Sequence, residues 1–377
     1  MKGLVKYLSK GWDKASGEIN TQEDLDVDTT GILHITKPLR ERKSMNKDVD
    51  VIPKPLLEKQ AALFTDDVRR LLLYKEKLPR AVFIDYLRIL CGLHLALYTM
   101  KVVYLLPKMV DAGTRNVIDD WSMVVDLTDN LDSIVSQYAC KDIERMENSY
   151  GKYIRSTYMV DIIQKRKHCD VDEAFRILKE DNNKQGEYYE KELNDIEDSL
   201  PDSNEKEFDK NDFHEMLEFF PEKDYFDMFV HVLEKSNLGA SQYKYIHDFV
   251  DAVCMKNSSS MLLADSRSKR HPRRGALGSK LLETLVQLLV LKERANGGYE
   301  TRSLSIDELA SAIRERYGLI INGIGEERFA DADVEMNAAF RVNMDAFKNK
   351  LRQIGFYTDM SDACILQKIR PRYKLED

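Results

Sequence analysis

Paired cysteines are missing from this sequence, and with them the usual signature of a disulfide framework or a zinc site. The five cysteines are scattered, no CxxC pair occurs, and the only adjacent histidine and cysteine are His168 and Cys169. An odd number of cysteines without a signal peptide indicates reduced thiols in a cytoplasmic protein. A tetrahedral zinc site needs a second ligand pair, so the sequence predicts no metal and no cofactor.

Catalytic fingerprints are absent too. No Walker, G-x-S-x-G, H-E-x-x-H or dinucleotide pattern occurs. Asp202, Glu205 and Lys206 resemble a PD-(D/E)xK set but share one acidic loop instead of adjacent strands. The pair His247-Asp248, with His214 and His231 upstream, matches the residue types of an HD phosphohydrolase metal site. That pattern stays open as an alternative, whereas the favoured prediction is a protein that is not an enzyme.

Long uncharged apolar runs are also lacking. The most apolar stretch, 81–106, carries Asp85, Arg88, His94 and Lys101, whereas a membrane span needs about 20 nearly uncharged residues. We therefore predict a buried bundle helix with His94 as a hydrogen-bonded core residue, and no membrane association. The N-terminal apolar run, Leu4 to Leu8, is too short for a secretory signal.

Charge is unevenly distributed along the chain, whose net charge is −8. Residues 179–224 hold 17 acidic and 6 basic residues, whereas residues 267–377 hold 20 basic and 16 acidic ones. The middle of the chain should therefore repel polyanions, and its C-terminal part should tolerate or attract them.

Composition and hydrophobic periodicity divide the chain into five segments. We predict a flexible arm over 1–50, a helical domain over 51–178, an acidic linker or insert over 179–222, a helical continuation over 223–265 and a winged-helix domain over 266–377. The last of these is called the C-terminal module below. The fold class is mainly α, a helical N-terminal domain followed by a winged helix-turn-helix with a small β-ribbon.

Local signals in the N-terminal half predict several helix boundaries. Thr65 is read as the N-cap of a helix over 66–77 that follows a separate helix over 56–64. Pro107 is expected to end the apolar helix that begins at Arg80. A further helix is expected over 117–126.

The C-terminal module shows three helical patterns followed by a ribbon. An apolar helix is predicted over 279–291, and a second one begins at the capping box formed by Ser305 and Glu308 and ends at Gly318. The third helix is predicted over 342–354, with Met344, Phe347, Leu351 and Ile354 on its buried stripe. Phe356 and Tyr357 should then pair with 363–369.

If the C-terminal module binds DNA, its third helix enters the major groove and Asn349 and Arg352 reach base edges. Phosphates would be held by Lys348, Lys350, Arg370 and Arg372, assisted by the basic loop residues Lys269, Arg270, Arg273 and Arg274. Asp345 and Asp362 lie near this face and oppose it. Winged helices also dock proteins, so the sequence leaves both partners open.

Three stretches carry a family resemblance: Leu71-Leu72-Leu73-Tyr74 through Leu78-Pro79-Arg80, 278–291, and Leu351-Arg352-Gln353-Ile354-Gly355-Phe356 with Ser361-Asp362-Ala363. Together they resemble non-catalytic helical subunits of bacterial anti-phage systems linked to DNA modification, such as phosphorothioation-dependent or methylation-associated restriction. The resemblance implies a bacterial cytoplasmic subunit working beside ATPase, helicase or nuclease partners, and it transfers no catalytic residue.

The resulting prediction is a non-enzymatic adaptor or DNA-binding subunit of a multi-protein complex in anti-phage defence. One alternative is a winged-helix accessory subunit of an SMC-like complex that handles chromosomes or plasmids. Another is the metal-dependent phosphohydrolase built on His247 and Asp248.

Overall fold

The structure is a computed structural model that describes residues 54–180, 186–202, 208–218, 220, 224–235, 237–265, 273–294, 298–357 and 368–375. The described chain is mainly α-helical and divides into two compact units. Unit 1 is drawn from Met1–Leu97, Met123–Ala139 and Cys254–Asp377, and unit 2 from Tyr98–Ser122 and Cys140–Val253. The predicted arm over 1–50 lies outside the described residues.

Unit 1 contains helices from both ends of the described chain and several two- or three-residue strands. Its elements are α1 (Glu58–Leu73), the first part of α2 (Arg80–Ala112), β1 (Met123–Val124), the start of α3 (Ile134–Asn148), and then the elements of the C-terminal part. The C-terminal elements of unit 1 are β2 (Leu263–Ala264), β3 (Arg274–Gly275), α10 (Ser279–Leu289), β4 (Leu291–Glu293), β5 (Tyr299–Thr301), α11 (Ile306–Tyr317), β6 (Leu319–Ile320), a 3-10 turn (Glu327–Phe329) and α12 (Val334–Gln353).

Unit 2 is helical in its described residues. It holds the remainders of α2 and α3, then α4 (Tyr150–Lys167), α5 (Val171–Glu180), α6 (Gly186–Ser199), α7 (Lys210–Glu218), α8 (Tyr225–Lys235) and α9 (Asn237–Val253). The acidic segment supplies α6 and α7, whose Leu193 and Phe213 pack in a small core with Val232 of α8. A few apolar residues on α6 and α7 therefore anchor these helices to the core of unit 2, while their acidic residues lie at the surface.

A short mixed ladder lies at the centre of unit 1. β1 pairs in parallel with β6, β2 pairs antiparallel with β3, and a parallel bridge from Asp126 to Ala276 joins the two pairs. Gly275 permits this close approach, since a Cβ there would lie 2.5 Å from the carbonyl oxygen of Val124. The ladder thus connects segments that are far apart in sequence.

The side chain of Asn343 on α12 completes the ladder. It is fully buried, its Oδ1 accepts from the Leu127 amide at 2.9 Å, and its Nδ2 donates to the carbonyls of Val125 and Ile321 at 3.0 and 2.8 Å. These three bonds satisfy backbone groups where the parallel strands end. One amide therefore fixes the position of α12 against both strands.

A second buried polar group joins helices of unit 1. The Asp67 carboxylate accepts from His94 Nε2 at 2.9 Å, from the Tyr317 hydroxyl at 2.8 Å and from Arg316 Nε at 3.0 Å. A buried carboxylate needs such donors to offset its desolvation. The prediction that His94 is a hydrogen-bonded core histidine is confirmed.

Local helix signals in the C-terminal module are confirmed. The Ser305 hydroxyl accepts from the Glu308 amide and the Glu308 carboxylate accepts from the Ser305 amide, as a capping box requires. Gly318 ends α11 in the left-handed conformation with φ 75°. The third helix begins earlier than predicted, at Val334, because the Asp333 side chain caps it by accepting from the Met336 amide at 2.8 Å.

Residues 368–375, which we call the C-terminal tail, add extended backbone to the C-terminal module. Lys368 bridges antiparallel to Ser305, the Ile369 amide donates to the Leu304 carbonyl at 2.7 Å, and the Arg370 amide donates to the Phe356 carbonyl at 2.8 Å. Most of the predicted ribbon over 356–369 lies outside the described residues. The hydrogen bond from the Arg370 amide to the Phe356 carbonyl joins the described segments on either side of this stretch.

Three predicted boundaries in the N-terminal half were wrong. Thr65 lies inside the continuous helix α1, where its hydroxyl bonds to the Ala61 carbonyl instead of capping a new helix. Pro107 lies inside α2, which continues to Ala112 because Met109 and Val110 are buried. Residues 117–126 are not helical, since β1 pairs with β6 there.

Helix α2 is long and apolar enough to cross a membrane by length and composition alone. However, 61% of its most apolar window is buried within the protein. Most of that window is therefore packed within the protein, as predicted for a buried bundle helix.

Replacing Asn343 with alanine should destabilise the chain by about 2–4 kcal/mol, because it removes three hydrogen bonds and leaves buried backbone groups without partners. Chemical denaturation of the full chain measures this change. Asn349, exposed on the same helix, provides a matched control whose alanine variant should lose less than about 0.5 kcal/mol. Equal effects at the two positions would contradict this role for Asn343.

Candidate nucleic-acid interface

Helix α12 determines which side chains of the predicted interface reach the surface. Its buried stripe contains Met336, Phe340, Asn343, Phe347 and Leu351. The opposite side of its last two turns carries Lys348, Asn349 and Arg352, with Asn349 and Arg352 exposed and Lys348 partly buried. Of the four predicted stripe residues, Phe347 and Leu351 lie in the core, whereas Met344 and Ile354 are only partly buried. Asn343 and Phe340 occupy the buried stripe in their place.

The cations at the end of α12 lie over aromatic rings. Lys348 Nζ lies 5.3 Å and the Arg352 guanidinium 5.8 Å from the centre of the Tyr357 ring, and the Arg372 guanidinium lies 5.3 Å from that of Phe356. Both rings are buried. Such contacts hold a cation in place by its attraction to the face of the ring.

The two predicted base-reading side chains bond to each other. Arg352 Nη1 donates to Asn349 Oδ1 at 2.7 Å. Bidentate recognition of adenine requires the amide oxygen and nitrogen of asparagine together, so this bond must break before Asn349 can read a base.

Two further predicted residues, Arg370 and Arg372, lie on the C-terminal tail and are exposed. Arg372 Nη1 donates to Glu283 Oε1 at 2.6 Å and its Nη2 donates to the Ile354 carbonyl at 2.8 Å. Hence the tail and the end of α12 place cations on neighbouring segments of the C-terminal module.

Arg274 and Lys350 make internal contacts instead. Arg274 is buried in β3, where its Nε donates to Asp126 Oδ2 at 3.0 Å. Lys350 Nζ donates to the Leu277 carbonyl. Burial lowers the pKa of Lys350, although Asp129 and Asp126 favour its charged form. These contacts show that both residues help to hold unit 1 together.

The basic loop is only partly described. Arg273 precedes β3 and is partly buried, whereas Lys269 and Arg270 lie outside the described residues. The roles predicted for these three residues in holding phosphates remain predictions.

Asn343 was missed by the sequence analysis, although a signal for it exists. It lies three residues after Phe340 and four before Phe347, so it occupies the apolar stripe of the helix. A polar residue at such a position needs buried partners. Its spacing could have identified it as a structural amide.

The histidines of the HD alternative lie in separate contacts. His214 Nε2 lies 3.2 Å from Glu197, His231 Nδ1 lies 3.9 Å from Glu234, and His247 Nε2 lies 4.0 Å from Glu147. Within the described ranges, no group of three or more histidine, cysteine or acidic side chains is arranged to hold a metal ion.

The fold defines the class of protein: a mainly helical chain whose C-terminal module carries exposed cations. The comparison with known families is more specific. The family model for the methylation-associated defense system protein MAD7 matches residues 1–373, and the chain belongs to that family. The predicted link to DNA-modification-associated anti-phage defence is thereby confirmed. No curated protein and no solved structure matches the chain.

Replacing Arg274 with alanine should destabilise the protein by about 3–5 kcal/mol, because the Asp126 carboxylate would stay buried without its cation. Adding Asp126→Asn removes the buried charge and should recover part of the loss in the double variant. Arg372→Ala, at an exposed pair, should cost no more than about 1 kcal/mol. Thermal and denaturant unfolding test these values, and a double variant less stable than Arg274→Ala would contradict the explanation.

Proposed function

We propose that this chain is a non-enzymatic DNA-binding adaptor subunit of a multi-protein anti-phage defence complex. Membership of a methylation-associated defense system family supports the defence role. A system with several components also favours a subunit that works beside other proteins, and we expect ATPase, helicase or nuclease partners in the cytoplasm.

The single observation that carries the DNA-binding proposal is the surface formed by the end of α12 and the C-terminal tail. Lys348 and Arg352 lie over Tyr357, Arg372 lies over the adjacent Phe356, and the Arg370 amide bonds to the Phe356 carbonyl. Arginine and lysine clustered on one face are the electrostatic footprint of a nucleic-acid site. The acidic helices α6 and α7 have the opposite character and would repel phosphates.

The backbone around this surface supports a winged-helix arrangement. α10, α11 and α12 supply three helices, and short extended segments at 304–305, 356–357 and 368–370 are joined by hydrogen bonds. A segment between the first and second helices thus pairs with the tail, and the tail also bonds to the residues after the third helix. In this proposal the module presents its basic face to DNA, and unit 2 is available for partner proteins.

The wild-type chain should bind duplex DNA with an affinity that falls as the salt concentration rises. Lysine and arginine side chains displace counterions from the phosphates, and release of these ions is less favourable at high salt. Fluorescence anisotropy between 50 and 200 mM salt measures this. Lys348→Gln combined with Arg352→Gln should make the slope of log affinity against log salt less negative by up to about 1.8. Glutamine retains much of the aliphatic stem, and thermal unfolding checks the fold.

The matched control is Lys59→Gln combined with Arg69→Gln, which changes charge equally at exposed residues of α1. This control should leave the slope unchanged. Absence of salt-dependent DNA binding in the wild-type chain, alone and with its co-purified partners, would refute the DNA-binding role. The adaptor role is tested separately by co-expressing neighbouring genes and identifying the proteins that co-purify.

A further inference from the structure

The C-terminal tail alternates between exposed cations and inward apolar side chains. Lys368, Arg370, Arg372 and Lys374 are exposed, whereas Ile369 is buried and Pro371, Tyr373 and Leu375 are partly buried. Tyr373 and Leu375 pack against the core cluster that includes Leu288 and Leu291. Because two residues of chain span about 7 Å at most, successive cations of the tail are closely spaced, and the backbone bends at Arg372 and Tyr373.

The tail is held along its whole length. Besides the bonds at 368–370, the buried Gln287 side chain donates from Nε2 to the Tyr373 carbonyl at 2.7 Å and accepts from the Tyr373 amide at 3.4 Å. The Leu375 amide donates to the Thr301 hydroxyl at 2.9 Å. The cations therefore project from a fixed backbone, which reduces the entropy lost when a partner binds.

The chemistry of these cations fits a repeating phosphate backbone. Residues 368–375 contain four cations and no acidic residue. Glu283 pairs with Arg372, and Glu376 and Asp377 follow outside the described residues. A single anionic group would use one or two of these cations, whereas a polyanion with evenly spaced charges can use all four.

Duplex DNA fits this surface better than a single strand does. Single-strand binding depends on exposed aromatic rings on which bases stack. Here Phe356 and Tyr357 are buried beneath Arg372, Lys348 and Arg352. Unpaired bases would find no platform on these two rings.

Base reading by α12 is opposed by its own charges. A recognition helix contacts base edges through its N-terminal residues, and here the start of α12 carries Asp333 and Glu335. Further along, Asn349 is bonded to Arg352. The cations near the end of the helix can reach phosphates without placing the acidic start in a groove.

We infer that the C-terminal tail follows the phosphate backbone of one strand of duplex DNA, so that binding is independent of base sequence. This inference rests on the proposed DNA-binding function and assigns the main contact to Lys368, Arg370, Arg372 and Lys374. Helix α12 adds backbone contacts beside them.

The test uses the full chain and a triple variant, Lys368→Gln, Arg370→Gln and Lys374→Gln, which spares the internal bonds of Arg372. Loss of three phosphate contacts should make the salt slope less negative by about 2.7. The control triple variant, Lys59→Gln, Arg69→Gln and Lys77→Gln, removes the same charge from exposed positions of unit 1 and should keep the wild-type slope. Lys368→Arg combined with Lys374→Arg should also keep it.

Two further comparisons use the wild-type chain. Duplexes of equal length and unrelated sequence should bind within about threefold of each other, because phosphates carry no sequence information. Single-stranded DNA of the same length should bind more weakly than the duplex.

Distinct results separate the two proposals. If the wild-type chain binds DNA but the tail triple variant keeps its slope, the tail inference is wrong and the DNA-binding proposal survives. A tenfold preference for one sequence, or stronger binding to single strands, would also overturn the inference alone. Failure of the wild-type chain to bind any DNA would overturn both. Loss of a co-purifying protein with unchanged DNA binding in the tail variant would assign the tail to protein docking.

Discussion

The position of α12 depends on the buried amide of Asn343. Its three hydrogen bonds reach backbone groups at residues 125, 127 and 321, so they join strands separated by almost 200 residues of sequence to one helix. Burial of Phe340 and Phe347 also stabilises the helix, but hydrophobic burial is non-directional. The three hydrogen bonds of Asn343 are directional, so they constrain how α12 is placed against the two strands.

Fixing α12 also determines where the positive charge of the module lies. When Asn343, Phe347 and Leu351 face inward, Asn349 and Arg352 must face outward by the periodicity of the helix. The tail reaches the same surface through backbone bonds at residues 304 and 356 and through Gln287. Apolar packing, buried amides and strand pairing thus combine to present cations on a rigid support, as a binding site for a polyanion requires.

Local signals in the C-terminal module were read correctly from the sequence, whereas the cap signal at Thr65 was not. Ser305 with Glu308 and the terminal Gly318 predicted α11. The predicted stripe of α12 was right at Phe347 and Leu351, while its other members, Met344 and Ile354, are only partly buried. Features that join distant segments could not be predicted in this way. Nothing near residues 117–126 indicates that β1 pairs with β6, and nothing near Arg274 indicates that its partner is Asp126, 148 residues away. The prediction at Pro107 failed for a similar reason. Proline usually ends a helix, but tertiary packing keeps residues 108–112 helical here.

Lysine footprinting shows whether the cations of the C-terminal module contact DNA. The full chain would be acetylated with and without duplex DNA, and modification of each lysine would be quantified by mass spectrometry. We expect DNA to protect Lys348, Lys368 and Lys374, while Lys59 and Lys77 react equally in both samples. Protection confined to other lysines under conditions where DNA is bound would contradict it.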